Sequence, residues 1–329
     1  MLTTYVGSFP LDYSQENISR ILRDVLEIPI ECPNYPQLRD FVHQFLEPFV
    51  DAGIMSLEGK KYILKGDLSL RIDFEKPLRD AELAAKIIMR SEDLRGRVKK
   101  MKACITGPFT LSSQVYLKSG SGMESTMLSE IDLVERIADY VSLLAREMKD
   151  LGYDYIVVDE PILSVIVGAR RIMLGYDPDD IIDILDRVAK RISVNKGIHV
   201  CGRLPRQLVE ILTQTEFAVL DHEFASNPLN FKSVDKAILE ENDKFLALGV
   251  VSSMSPQVET IDEVRRLIVK GIRQYGRERI AFVKPDCGFR GLKGRVGEDK
   301  AYDIALRKLR ILRNARDLVA RELNIEIDC

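Results

Sequence analysis

The residue types and spacings best suited to chemistry are His199-Val-Cys201, followed by Glu223 and Cys287. Segment 196–202 (KGIHVCG) reads as a short strand ended by glycine. Side chains at i and i+2 of a strand point to the same side, so His199 and Cys201 aim at one point. Glu223 closes a second strand-like run (217–223), and Cys287 lies at the end of a third (280–288). One imidazole, two thiolates and a carboxylate make a donor set for Zn²⁺ in which the hard carboxylate is the ligand most easily displaced. His-x-Cys by itself is more often a buried cysteine near a satisfied histidine. The strand-end Glu223 and the Pro-Asp-Cys-Gly run at 285–288 tip the balance to a metal site.

Such residues need strands to carry them. Eight strand candidates run at 3–9, 27–33, 102–108, 153–161, 197–202, 217–224, 244–253 and 280–288. Several are near-continuous Val/Ile/Leu runs, the pattern of strands covered on both faces of a parallel sheet. Helical periodicity fills the intervals, most clearly at 129–152, 177–192 and 260–276, with acidic starts and basic ends in the last two. Eight strands interleaved with helices predict an α/β fold of the (β/α)₈ TIM-barrel type, one barrel over residues 1–329. Residues 52–75 read as a hairpin inserted after the second strand, and 117–127 (LKSGSGMESTM) as a mobile loop near the site. Gly7-Ser8, Thr106-Gly107-Pro108, Asp159-Glu160-Pro161 and the four metal-ligand candidates all fall at C-terminal strand ends, the active face of such barrels. A doubly wound open sheet is disfavoured because no glycine-rich phosphate loop follows any strand.

With 329 residues, 46% of them hydrophobic, the chain can bury a large core. A net charge of −3 implies no general attraction to nucleic acid or to an anionic membrane surface. No apolar run approaches the ~18–20 residues of a membrane span. The first ten residues, MLTTYVGSFP, lack a secretion signal. Five cysteines at irregular spacing argue against a disulfide framework. Together these features predict a cytoplasmic enzyme.

The ordered set VGSFP (6–10), TGPFT (106–110), VDEPIL (158–163), HVCG (199–202), Glu223 and PDCG (285–288) resembles the C-terminal catalytic barrel of cobalamin-independent methionine synthases. The resemblance spans nearly the whole chain, and implies a stand-alone core form of the methionine synthase / uroporphyrinogen decarboxylase-like barrel. It implies that His199, Cys201, Glu223 and Cys287 bind Zn²⁺, and that Ser8 and Asp159 hold the backbone of homocysteine, Asp159 through the ammonium. It further implies methylation of the homocysteine thiol to methionine, with Glu223 yielding to the incoming thiol. Where the folate-using enzymes carry a pterin-stacking Trp, a Glu and a proton-donating His, this chain has Gln114, Val165 and Met254. An acidic partner for the ammonium is replaced near Tyr35, where Glu31 could compensate. Loss of the acid points to a donor that leaves without a proton, so the expected methyl donor is methylcobalamin or a methylated corrinoid protein. Two other readings stand beside this one: a methylcobamide:thiol methyltransferase acting on another thiol such as coenzyme M, and a non-catalytic zinc-binding barrel. His222 is expected in the core or in a supporting layer behind the metal ligands, His43 on a helix surface, and Cys32 as a small buried side chain.

Overall fold

A computed structural model of the chain describes residues 1–68, 71–117 and 120–326. Of the expected 117–127 loop, residues 118–119 therefore lie outside the described residues, and the 123–125 segment forms a 3₁₀ turn. Ten strands occur among the described residues. They are β1 (Leu2–Thr3), β2 (Met55–Glu58), β3 (Lys61–Leu64), β4 (Lys102–Thr106), β5 (Val115–Tyr116), β6 (Tyr155–Asp159), β7 (Asn195–Val200), β8 (Val219–Glu223), β9 (Phe245–Val251) and β10 (Ile280–Pro285). Seven of them form one parallel, curled sheet in the order β1-β10-β9-β8-β7-β6-β4. β2 and β3 form the expected inserted hairpin, and β5 adds to β3 in a separate three-stranded sheet.

The main sheet has seven strands, not the eight expected. Segment 27–33 is the missing one. A helix, Gln15–Glu27, runs into its start, and the residues after that helix make only single bridges, Cys32 to Thr4 and Asn34 to Lys102. Pro29 and Pro33 explain the difference: a proline has no N–H for the ladder, so consecutive pairing is broken. Residues 32–34 nonetheless sit between β1 and β4, through Cys32 N–H to Thr3 O at 3.1 Å and Lys102 N–H to Pro33 O at 2.9 Å.

Strand parity sorts the side chains into two environments. Ala103, Ile105, Ile156, Val158, Ile198 and Leu220 face outward and join the large core beneath the helices. Their alternates Cys104, Tyr155, Val157, Val219, Ala247 and Phe282 face inward and form a second, smaller cluster with Leu2 and Cys32. Tyr155 and Phe282 stack there with centroids 4.7 Å apart. The outer helices follow their expected spans: Ile131–Asp150, Pro178–Ala189 with an Asp177/Asp180 capping box, and Ile261–Tyr275 with a Thr260/Glu263 capping box. No helix among the described residues is long and apolar enough to cross a membrane.

Candidate metal centre

His199, Cys201 and Cys287 converge. Their ligand atoms all lie within 4.8 Å of one another. His199 Nε2 is 3.1 Å from Cys201 Sγ, and the two sulfurs are 3.5 Å apart. The i, i+2 relation of His199 and Cys201 at the end of β7 brings them to one side, as expected. Cys287 arrives differently, since β10 ends at Pro285 and the thiol stands two residues beyond the ladder. The soft, closely spaced donors fit Zn²⁺.

Glu223 ends β8 but does not join this cluster. Its carboxylate accepts a hydrogen bond from Asn227 Nδ2, four residues on. Burial pushes its carboxyl pKa up, helped by the nearby Asp286 and Cys287.

A second layer of charge lies beneath, and none of it was read from the sequence. Asp221 is fully buried, with Oδ1 2.6 Å from His199 Nδ1 and 2.7 Å from Lys284 Nζ; Oδ2 is 3.4 Å from Lys102 Nζ. Burial opposes the charge on Asp221, but Lys284, His199 and Lys102 together hold its carboxyl well below the usual range. Burial alone would lower the pKa of His199; Asp221 outweighs it and lifts the ring to about 10. A carboxylate on Nδ1 fixes the imidazole and leaves Nε2 as the outward-facing donor. The Cys287 thiol is pushed down by its hydrogen bond with Cys201, against burial and with help from His199. Asp221 stands at i−2 from Glu223, on the same face of β8.

The cluster forms one wall of a cavity of about 360 Å³. Ser8 and Asp159 line it, as do Gln37, Phe41 and Pro161. Asp159 ends β6 directly beside His199 in register. Its Oδ1 is buried and has no hydrogen-bond partner among the described residues, and burial lifts its pKa to about 6, against the pull of His199 and Lys102. Such an orphaned carboxylate oxygen is set to receive a donor from a ligand. Ser8 follows a tight turn in which Gly7 has φ +71° and Ser8 N–H bonds Val6 O at 2.8 Å. A Cβ on Gly7 would meet Asn34 Nδ2 at 2.5 Å and Tyr35 O at 2.8 Å, so only glycine fits. From the segment where compensation was expected, Gln37 reaches the cavity, while Tyr35 and Glu31 do not. Tyr35 donates to Cys104 O at 3.0 Å. Glu31 is consumed by Thr3, Arg313 and Arg316.

The sequence model for the cobalamin-independent synthase catalytic domain matches residues 76–305. The chain belongs to that family. The methionine synthase of Methanocaldococcus jannaschii is 26% identical over 97% of this chain and 99% of its own length, and that of Methanothermobacter marburgensis is 27% identical over 88% and 87%. Among solved structures, a B12-independent methionine synthase from Shewanella sp. W3-18-1, in complex with selenomethionine, superposes with a TM-score of 0.72 at 16% identity, covering 99% of this chain and 100% of that one. The family and the related methionine synthases mark the chain as a methyltransferase of methionine synthase type, and the superposition supports the fold.

For a synthase catalytic domain, the motif strings now have local causes. Glu160 of the DEP run is fully buried and accepts from Phe109 N at 2.8 Å, Thr110 N at 2.8 Å and Thr110 Oγ at 2.6 Å, capping the short helix that follows TGP. Asp286 of the PDCG run accepts from Phe224, Ala225 and Ser226 N–H at 3.0, 3.1 and 2.7 Å, so it pins the turn after Glu223 to the end of β10. Asn230 ties the turns after β7 and β8 together through Gly202 O at 2.9 Å and Glu223 O at 2.7 Å. His222 faces away from the cluster, fully buried as expected, and burial lowers its pKa to about 4. Cys32 is likewise buried, which pushes its thiol up to about 12. His43 begins a helix with its side chain 40% exposed, in line with the surface expectation.

Proposed function

We propose that the chain, as one barrel over residues 1–329, is a zinc-dependent enzyme that methylates the thiol of homocysteine to methionine, in the cytoplasm, with a methylcorrinoid as donor. The observation carrying this reading is the meeting of His199, Cys201 and Cys287 with the orphaned oxygen of Asp159 around one small cavity. His199, Cys201 and Cys287 would hold the ion, with Glu223 as the exchangeable fourth donor that gives way to the substrate. When bound, the ion replaces the thiol proton and presents sulfur as a thiolate at neutral pH. Asp221 holds His199 in one tautomer and orientation. Asp159 takes the substrate ammonium, and Ser8 the neighbouring backbone of the amino acid.

The donor assignment rests on chemistry at the rim. Sulfur forms the new S–CH₃ bond as the carbon–cobalt bond breaks, and cobalt(I) keeps the electron pair, so no proton is delivered. Methyl transfer from N5 of a folate instead needs a general acid at the leaving nitrogen. The positions matching that acid and its pterin platform are Met254, 45% exposed, Val165, 55% exposed, and the exposed Gln114. This donor departs from the cobalamin-independent description of the family, so both donors belong in the assay. Zinc-loaded protein is supplied with methylcobalamin or methyltetrahydrofolate, each against homocysteine and coenzyme M. Methionine from methylcobalamin alone is the expected result; turnover with the folate alone refutes the donor. A non-catalytic zinc barrel would take up no thiol and release no proton.

A further inference from the structure

Lys284 stands on the inward face of β10, three residues before Cys287, and is fully buried. An ammonium has three N–H donors and no acceptor. All three have partners here: Asp221 Oδ1 at 2.7 Å, Pro285 O at 2.9 Å and Asp286 O at 2.8 Å. The first partner carries His199. The other two are the last carbonyls before Cys287, at the end of β10, where Pro285 makes its last pairing, with Val251. Lys284 therefore links β8, whose Asp221 holds the imidazole, to the end of β10, which delivers the second thiolate. Its lumen neighbour Lys102 is equally buried but touches the centre only through Asp221 Oδ2, at 3.4 Å, with its ammonium 5.7 Å from the Tyr155 ring.

We infer that Lys284 is a positioning residue of the metal centre: it fixes the spacing of His199 and Cys287 by holding Asp221 with one hydrogen and the backbone of residues 285–286 with the other two. The two lysines supply the same charge to the same carboxylate, so they separate geometry from electrostatics. This inference rests on the metal-centre reading of the preceding section.

The test compares Lys284→Met and Lys102→Met with the wild type. Zinc affinity is measured by chelator competition, and the Co²⁺-substituted proteins are examined for their thiolate-to-metal absorption. Both variants should lose thermal stability of the zinc-free fold, because each strips Asp221 of a buried cation. Only Lys284→Met should lose zinc affinity by about 10–100-fold, the usual effect of removing an outer-shell support, with an altered cobalt spectrum. Lys102→Met should stay within about tenfold of wild type. Zinc affinity of Lys284→Met within that same margin overturns the inference, and so does an equal loss in both variants, which would assign the effect to charge. If Lys284→Met does not accumulate as folded protein by circular dichroism, Lys284→Gln takes its place under the same criterion. Failure of the wild type itself to bind zinc would instead strike the metal-centre reading.

Discussion

Asp159→Asn is the sharpest test of substrate recognition. The substitution removes one charge from the cavity wall. At Oδ1 it breaks no hydrogen bond within the protein, because that oxygen has none. Burial already disfavours the ionised form, lifting the pKa from 3.8 to about 6, so the unliganded fold should be as stable as wild type or more so. The loss should fall wholly on the ligand. A hydrogen bond between charged groups contributes about 1.5–3 kcal/mol, which corresponds to roughly 10–150-fold in affinity. The assay measures kcat/KM for homocysteine and for its des-amino analogue, 4-mercaptobutyrate. Wild type should prefer homocysteine by that factor, and Asp159→Asn should use both thiols at similar, low efficiency. A variant that keeps the wild-type preference refutes the ammonium contact. A variant destabilised by more than about 2 kcal/mol in urea unfolding refutes the premise that the carboxylate is held in reserve for a ligand.

Cys201→Ser and Cys287→Ser should each lose zinc to a chelator that leaves wild type loaded, and should lose turnover with it, because hydroxyls do not replace soft thiolates; retention of the metal in either refutes its ligand role. In Gly288→Ala, the new Cβ would overlap Ser8 Oγ, so the serine must move off the cavity wall. KM for homocysteine should rise while zinc content stays at wild-type level, and an unchanged KM would remove Ser8 from the binding site. His222 is buried and neutral in the fold, with its pKa lowered from 6.5 to about 4. Its contribution is therefore present above pH 6.5 and lost as pH falls through 4, by about 3 kcal/mol in all. Urea unfolding of the zinc-free protein at pH 7 and pH 4.5 should show that loss in wild type and a much smaller one in His222→Leu.

The sequence made the outer architecture legible because helix and strand periods are set by burial on known faces. The helices at 131–150, 178–189 and 261–275 and the hairpin at 55–64 were found for that reason. Segment 27–33 misled because EIPIECP has the apolar content of a strand, while its prolines cannot supply ladder N–H groups. Hydropathy registers the first property and not the second. That His199 and Cys201 face one point was legible from parity; reading them as a metal site needed the strand-end Glu223 and the Pro-Asp-Cys-Gly run as well. Glu223 was placed correctly at a strand end, but the rotamer that turns its carboxylate to Asn227 depends on a loop four residues away.

The charged lumen was illegible for a different reason. An apolar-run criterion treats Lys102, Asp221 and Lys284 as interruptions in otherwise buried strands. On the outer face, where helices pack, an interruption of that kind would leave a buried charge with no partner. On the inner face of a closed or nearly closed sheet, strands far apart in sequence look at each other, so opposite charges can meet across the axis: Lys102 and Asp221 are 119 residues apart and Asp221 and Lys284 lie on strands that are not neighbours. Opposite charges at alternate positions of several apolar strands are therefore a signature of a polar lumen. In this chain that lumen ends at His199, which makes the buried charges part of the candidate metal centre and not a fault in the core.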